Sequence, residues 1–466
     1  MIPEQSAGAS PERNIEPSSG TNTVPETHAV PLSRNRSYQL LWVSQVLSGV
    51  GISASVIAFP LLVLALTGSA AKSGLVLGAI TLAQLLAGLP AGALVDRWNR
   101  KTIMLTCEAT QTIAAISLVG ALWWNVVPIG LLIVVGAVMG ICAALFRPAE
   151  DAYVSRVVPA EQLSAAVALN AARGSVAQLS GTAAGGFLFA VARFVPFIAD
   201  AVAHGVACIL LVFLRVPPRQ GQPAPDRHLS REILVGLRWV WANRHIRVTA
   251  QCAIVLNLFI SAFYLIVIVL AQARGISSGQ IGLIAAMLGV GGLVGSVAAS
   301  GLSQRVSPYA SIITVFWGLG ALTLAAAFVR SGWLLGLLFA AMALLPPTAN
   351  TTIITRQLLL TPDDMRGRLS SVLGIATGVA AALGPVLGGL LVAALSGTNA
   401  VLVCAGGIAA IALVATLSPT LRSFPRQPVV AQQPSHAQPP GPEPEGITET
   451  ISVPTGDRQN VAKKGD

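Results

Sequence analysis

Apolar residues run in long unbroken stretches along this chain, and short polar segments separate them. Twelve stretches stand out: Tyr38 to Leu66, Ser73 to Val95, Ile103 to Trp124, Val126 to Phe146, Ala165 to Ala192, Phe194 to Leu214, Val248 to Gln272, Gln280 to Leu302, Tyr309 to Val329, Trp333 to Ile354, Leu369 to Leu395 and Asn399 to Leu417. Each comes near the ~20 residues that a helix needs to cross a bilayer. Lipid gives a bare backbone no hydrogen-bond partner, so helices are the expected form. The ten-residue alternation of a membrane β-barrel does not occur.

Composition agrees with the pattern. Apolar residues make up 54% of the 466, charged residues only 10%, and mean hydropathy is +0.72. Soluble domains carry about 25% charged residues, so a soluble enzyme is excluded. The net charge of +10 is dispersed between the apolar stretches rather than gathered in a patch, which argues against a nucleic-acid partner. Arginine dominates the basic residues, which suggests a GC-rich bacterial genome. The five cysteines, Cys107, Cys142, Cys208, Cys252 and Cys404, all fall inside apolar stretches without metal-ligand spacing and read as small buried hydrophobes. There is no G-x-x-x-x-G-K-[ST] nucleotide loop.

Basic residues also orient the chain. Twenty Arg and Lys between Arg34 and Arg426 lie beside the chain ends or in loops after even-numbered stretches, against four (Lys72, Arg193, Arg274, Arg330) on the other side. Both termini are therefore expected in the cytoplasm of a bacterial cell membrane. Trp123, Trp124 and Trp333 at one set of ends, and Trp42 near the other, fit an aromatic belt. Residues 1–37 and 422–466 read as disordered cytoplasmic tails, the first not a cleavable signal. Between them lie two six-helix bundles, 38–215 and 248–421, joined by a linker, 216–247. In that linker Ser230 can cap a helix whose Ile233, Leu234, Leu237 and Trp241 share a face, an amphipathic helix for the membrane surface.

The two bundles repeat one another. Gly181-Thr-Ala-Ala-Gly185-Gly186 matches Gly384-Pro385-Val-Leu-Gly388-Gly389 at an offset of 203 residues, which also pairs Pro159 with Pro362 and Glu161 with Asp364. Gly92-Ala-Leu-Val-Asp96-Arg97 matches Ser300-Gly-Leu-Ser-Gln304-Arg305 at 208. Three matches in register imply a duplicated ancestor, and two homologous bundles with a path between them suit alternating access.

Pro90 to Lys101 (PAGALVDRWNRK) resembles the loop signature of the major facilitator superfamily, with Asn99 where that pattern has a third glycine. Asn tolerates a left-handed turn. Arg34 to Trp42, Phe146 to Ala149, Val157 to Glu161 and Arg366-Gly-Arg368 resemble the branch that contains enterobactin exporters and macrolide-efflux proteins. The resemblance implies an all-α membrane fold of twelve helices in two pseudo-twofold bundles. It implies a cytoplasmic gate built from Gly92, Asp96, Arg97, Arg100 and Lys101 facing the start of the eleventh helix, with Glu150 or Asp151 as candidate acidic partner. It reads the two glycine hexapeptides as an antiporter-like motif; tight packing without directional meaning is the alternative. Relatives often carry an aspartate just after Gly51, where this chain has Ile52.

Charges inside the stretches are costly and mark candidate functional groups. They are Glu108, Arg173, Asp200 and His204. Asp200 and His204, at i and i+4, share a helix face and can carry a proton relay or a structural bond. Glu108 can relay protons or neutralise a loop arginine, and Arg173 can pair with an acid or meet an anionic substrate. Gln45, Asn257, Phe259, Phe263, Tyr264 and Trp317 are candidates for a mixed apolar cavity lining. The expected function is export of a small hydrophobic or amphipathic compound (drug, antibiotic, siderophore or secondary metabolite) by a monomer in the bilayer, using the proton gradient and no cofactor. Import of a small metabolite, or a receptor role without transport, are the alternatives.

Overall fold

A computed structural model describes residues 31–214 and 229–422, which belong to one compact unit, Met1–Arg426. Most of both tails, Arg215, Arg219 and Arg227, and the side chains of Ser230, Arg231, Ile233, Gln304, Arg305 and Asp364 lie outside the described residues. Every regular element among those described is an α-helix: α1 (Arg36–Thr67), α2 (Ala70–Arg97), α3 (Arg100–Trp123), α4 (Ile129–Val157), α5 (Ala160–Val191), α6 (Val195–Val212), α7 (Leu229–Ala242), α8 (Arg244–Ala273), α9 (Ser278–Arg305), α10 (Pro308–Phe328), α11 (Gly332–Leu344), α12 (Pro346–Leu359), α13 (Asp363–Ala394), α14 (Gly397–Leu417) and the short α15 (Pro419–Arg422).

Eleven helical segments are long and apolar enough to cross a membrane. The fifth expected stretch is helical as α5 but falls below that hydropathy, because Asn170, Arg173 and Gln178 interrupt it. The tenth is not one continuous helix. It breaks at Leu345 into α11 and α12, where Pro346 and Pro347 remove backbone donors. Helix α4 runs past its expected end at Phe146 to Val157.

Helix starts obey the internal repeat. Asn35 and Asn243, Ser69 and Ser277, and Asn99 and Ser307 are N-caps at the 208 offset; Pro159 and Pro362 are N-caps at 203. The Ser69, Ser277, Asn99 and Ser307 side chains each accept a first-turn N–H, worth about 1 kcal/mol apiece. Asn99 is extended (φ −70°) rather than left-handed, so this cap is why asparagine suits the position.

The glycine hexapeptides make equivalent contacts in the two halves. A methyl on Gly181 would lie 2.5 Å from Val50 O, and one on Gly185 2.5 Å from Ala54 O, both on α1. At the 208 offset, Gly384 and Gly388 meet Leu258 O and Ala262 O on α8. Gly186 packs on Ser278 and Gly282 of α9, and Gly389 on Ala70 and Ala71 of α2. Each hexapeptide thus fastens its helix to the first helix of its own half and the second helix of the other. Bare glycine surfaces allow that approach.

The halves meet at the end of the bundle far from the chain termini. There Leu61, Leu62 and Val63 of α1 share a buried core with Ile268, Ala271, Ile281 and Ala285. Toward the terminal end they part. Methyls on Gly88 and Gly92 of α2, Gly174 of α5, and Gly367 and Gly374 of α13 would meet nothing within 4 Å. Gly92 therefore makes no close helix approach in this conformation.

Candidate functional site

The parting helices leave a cavity of about 890 Å³ in the terminal half of the first bundle, walled by α1, α3, α4, α5 and α6. Six sequence candidates, Gln45, Glu108, Glu150, Asp151, Arg173 and His204, line it. Among the described residues, all buried carboxylates and the buried histidine belong to this first half.

Glu108 on α3 is the centre. Ser48 Oγ lies 2.9 and 3.0 Å from its two carboxylate oxygens and donates to them, and Gln45 Nε2 donates to Oε1 at 3.1 Å. His204 Nδ1 of α6 lies 2.5 Å from Oε2. The other imidazole nitrogen, Nε2, faces Asp200 Oδ1 at 3.3 Å, an ion-pair distance without hydrogen-bond alignment. Glu108, His204 and Asp200 are each 1% exposed. The relay pair expected on α6 is thus part of a three-residue cluster, and Glu108 pairs with His204 rather than a loop arginine. Asp200 reaches α1 as well: a methyl on Gly51 would lie 2.8 Å from its Oδ1.

Glu150 on α4 pairs with Arg173 on α5 at 2.7 Å. This corrects its expected place beside the loop arginines, whereas Asp151 is exposed at the cavity edge. A second groove of about 490 Å³ runs between α2 and α13, lined by Gln84, Leu85, Gly88, Leu89, Gly374 and Ile375 among others.

The gate candidates divide. Asp96 and Arg97 occupy the exposed last turn of α2, not a loop. Arg100 Nη1 donates to Ala152 O at 2.9 Å, tying α3 to α4. Lys101 Nζ donates to Val212 O at 2.6 Å and Leu214 O at 2.8 Å, a cation on the C-terminus of α6. Arg100 and Lys101 therefore brace the first half.

Of the expected apolar lining, only Gln45 reaches the polar cavity. Phe263 is 2% exposed inside the second-half core, Tyr264 packs beside Phe339, and Trp317 Nε1 donates outward to Thr416. Asn257 donates to its own helix at Ala253 O, and Phe259 packs on Gly407. Sequence reading missed Ser48. Its spacing from Gln45 places both on one face of α1, but nothing in the sequence brings α3 to that face.

On α7, Gly236 seats on Arg368 and Val372 of α13. Leu234, Leu237 and Trp241 stay exposed on the face away from α13, as an amphipathic helix requires.

Comparison with known proteins places this geometry among transporters. The family described as transmembrane secretion effector matches residues 27–443. The multidrug efflux pump Tap of Mycobacterium tuberculosis (strain ATCC 25618 / H37Rv) is 28% identical over 375 residues, covering 76% of this chain and 85% of Tap. The enterobactin exporter EntS of Escherichia coli O1:K1 / APEC is 25% identical over 373 residues, covering 77% and 86%. Among solved structures, the nucleoside transporter NupG superposes with a TM-score of 0.68 at 12% identity, covering 84% of this chain and 100% of NupG. A bacterial homologue of the human lysosomal transporter Spinster, inward-facing and unoccupied, gives 0.65 at 17% identity, covering 84% and 98%.

Proposed function

Because the chain belongs to the transmembrane secretion effector family of the major facilitator superfamily, we propose that it exports a small amphipathic organic compound from a bacterial cytoplasm by proton-coupled alternating access. The carrying observation is the buried Glu108–His204–Asp200 cluster beside a cavity that opens toward the terminal end. The inside-positive charge bias makes that end cytoplasmic, so cargo loads from within. The efflux pump and siderophore exporter among the relatives support the outward direction.

The cluster ties the ion to the cargo. With the cavity open inward, Glu108 releases a proton into it through its exposed rim. The ionised carboxylate then takes hydrogen bonds from Ser48, Gln45 and His204. Reprotonation from the outer, more acidic side removes that charge and favours the return. Closure at the cytoplasmic end would bring Asp96 against the N-terminus of α13, where a carboxylate gains about 0.3–1 kcal/mol, up to ~2 when partly buried. The cycle needs one chain, a bilayer and a proton gradient.

The test is dye efflux from proteoliposomes under an imposed pH gradient, with and without a protonophore. Efflux that collapses with the gradient supports the proposal. Uptake whose pH dependence has the opposite sign, or no flux for any dye of a broad panel, contradicts it.

A further inference from the structure

The Arg173–Glu150 pair has a property that a purely structural bridge lacks. It is nearly buried, with side chains 11% and 7% exposed, yet neither Arg173 Nη1 nor Glu150 Oε1 has an aligned hydrogen-bond partner, although they lie 2.7 Å apart. Both groups line the cavity. Asn170 and Gln178, which precede and follow Arg173 on α5, line it too, and Tyr38 Oη donates to Asn170 Oδ1 at 3.3 Å. Phe146, Val154 and Val167 supply apolar wall.

Resting on the export reading above, we infer that this pair is the cargo's polar anchor and selects a zwitterion: a compound carrying a carboxylate and a cationic group on an apolar frame. A buried pair contributes little net stability, but stripping one partner from it is expensive. A purely cationic guest that takes Glu150 leaves the guanidinium unpaired, and a purely anionic guest that takes Arg173 leaves the carboxylate unpaired. A neutral guest gains nothing from either. A guest with both charges exchanges partner for partner, and the planar guanidinium fork matches a carboxylate in two parallel bonds. The pair crosses from α4 to α5, so the exchange also frees two helices of the first bundle from one another.

The test is binding of rhodamine B, a zwitterion, and its cationic ethyl ester to the full chain in nanodiscs, read by fluorescence polarisation against empty discs. Rhodamine B should bind the wild type at least tenfold tighter than the ester, about 1.4 kcal/mol. Arg173→Gln should reverse that order, and Glu150→Gln should weaken the ester while widening the gap. The charge swap Glu150→Arg with Arg173→Glu should restore the preference, which guards against a variant that simply fails to fold. Equal affinities in the wild type overturn the inference, as do variants that change both dyes by the same factor. Selective binding without flux in proteoliposomes sinks the export reading and leaves the anchor standing. Flux without selectivity does the reverse.

Discussion

His204 Nδ1 lies 2.5 Å from Glu108 Oε2, so α6 and α3 share a proton-sized contact in the interior of the first bundle. Asp200 waits on the far side of the same ring, 3.3 Å from Nε2. Two carboxylates and one imidazole, each 1% exposed, thus meet at one buried point. Of the three only Glu108 and His204 line the cavity.

Glu108→Gln keeps an acceptor for Ser48 but can no longer ionise. Efflux driven by a pH gradient should fall at least ~tenfold, about 1.4 kcal/mol in barrier terms, while dye exchange down its own concentration gradient persists. Vesicle flux assays separate the two, and unchanged gradient-driven efflux would remove Glu108 from coupling.

Gly51→Ala probes the contact between α1 and Asp200. The added methyl would lie 2.8 Å from Asp200 Oδ1 and 3.2 Å from its Cα. Overpacking of that kind costs about 1–3 kcal/mol. A lower thermal-unfolding midpoint in detergent and an altered pH profile of flux are expected together. Gly205→Ala on α6, whose methyl would meet only Thr112 Cγ2 at 3.8 Å, is the control: its midpoint should hold or rise, because alanine favours a helix interior over glycine, and its pH profile should not change.

Gly186→Val drives a branched side chain into Ser278 O and Gly282 Cα across the joint between the halves. The far end should then open. Ser278→Cys in a cysteine-free background should label with an impermeant maleimide several-fold faster when Gly186→Val is added. Equal labelling rates would mean that this joint does not hold the far end shut.

Much of this arrangement was legible in the sequence. Twelve apolar stretches, the two offsets and the hexapeptides foretold paired halves, and the cap pairs Ser69/Ser277 and Asn99/Ser307 show the same register at the level of single hydrogen bonds. The i, i+4 spacing placed Asp200 beside His204. Glu108 joining them was not legible, because helix order in space decides which of six helices face one another. Glu150 was misassigned for a related reason: α4 continues through Pro148, so a residue expected in a loop lies inside a helix facing α5.

Lys101 and Asp96 sit close in sequence yet should respond differently. Lys101→Met removes the bonds to Val212 O and Leu214 O and should cost roughly 0.5–1.5 kcal/mol per bond in stability. Asp96→Asn should slow transport, since a carboxylate there gains at the N-terminus of α13 when the cytoplasmic end closes. Full-rate transport by Asp96→Asn would end the gate assignment.

We expect α2 and α13 to close at the terminal end as the cluster changes its proton count. Ala93 lies near the end of α2 and Ser370 near the start of α13, and both are exposed. Spin labels on Ala93→Cys and Ser370→Cys, in a cysteine-free chain in nanodiscs, report that gap by pulsed electron–electron resonance. Two distance populations whose ratio shifts with pH, and stops shifting in Glu108→Gln, are predicted. A single distance that ignores pH in the parent chain would contradict the account.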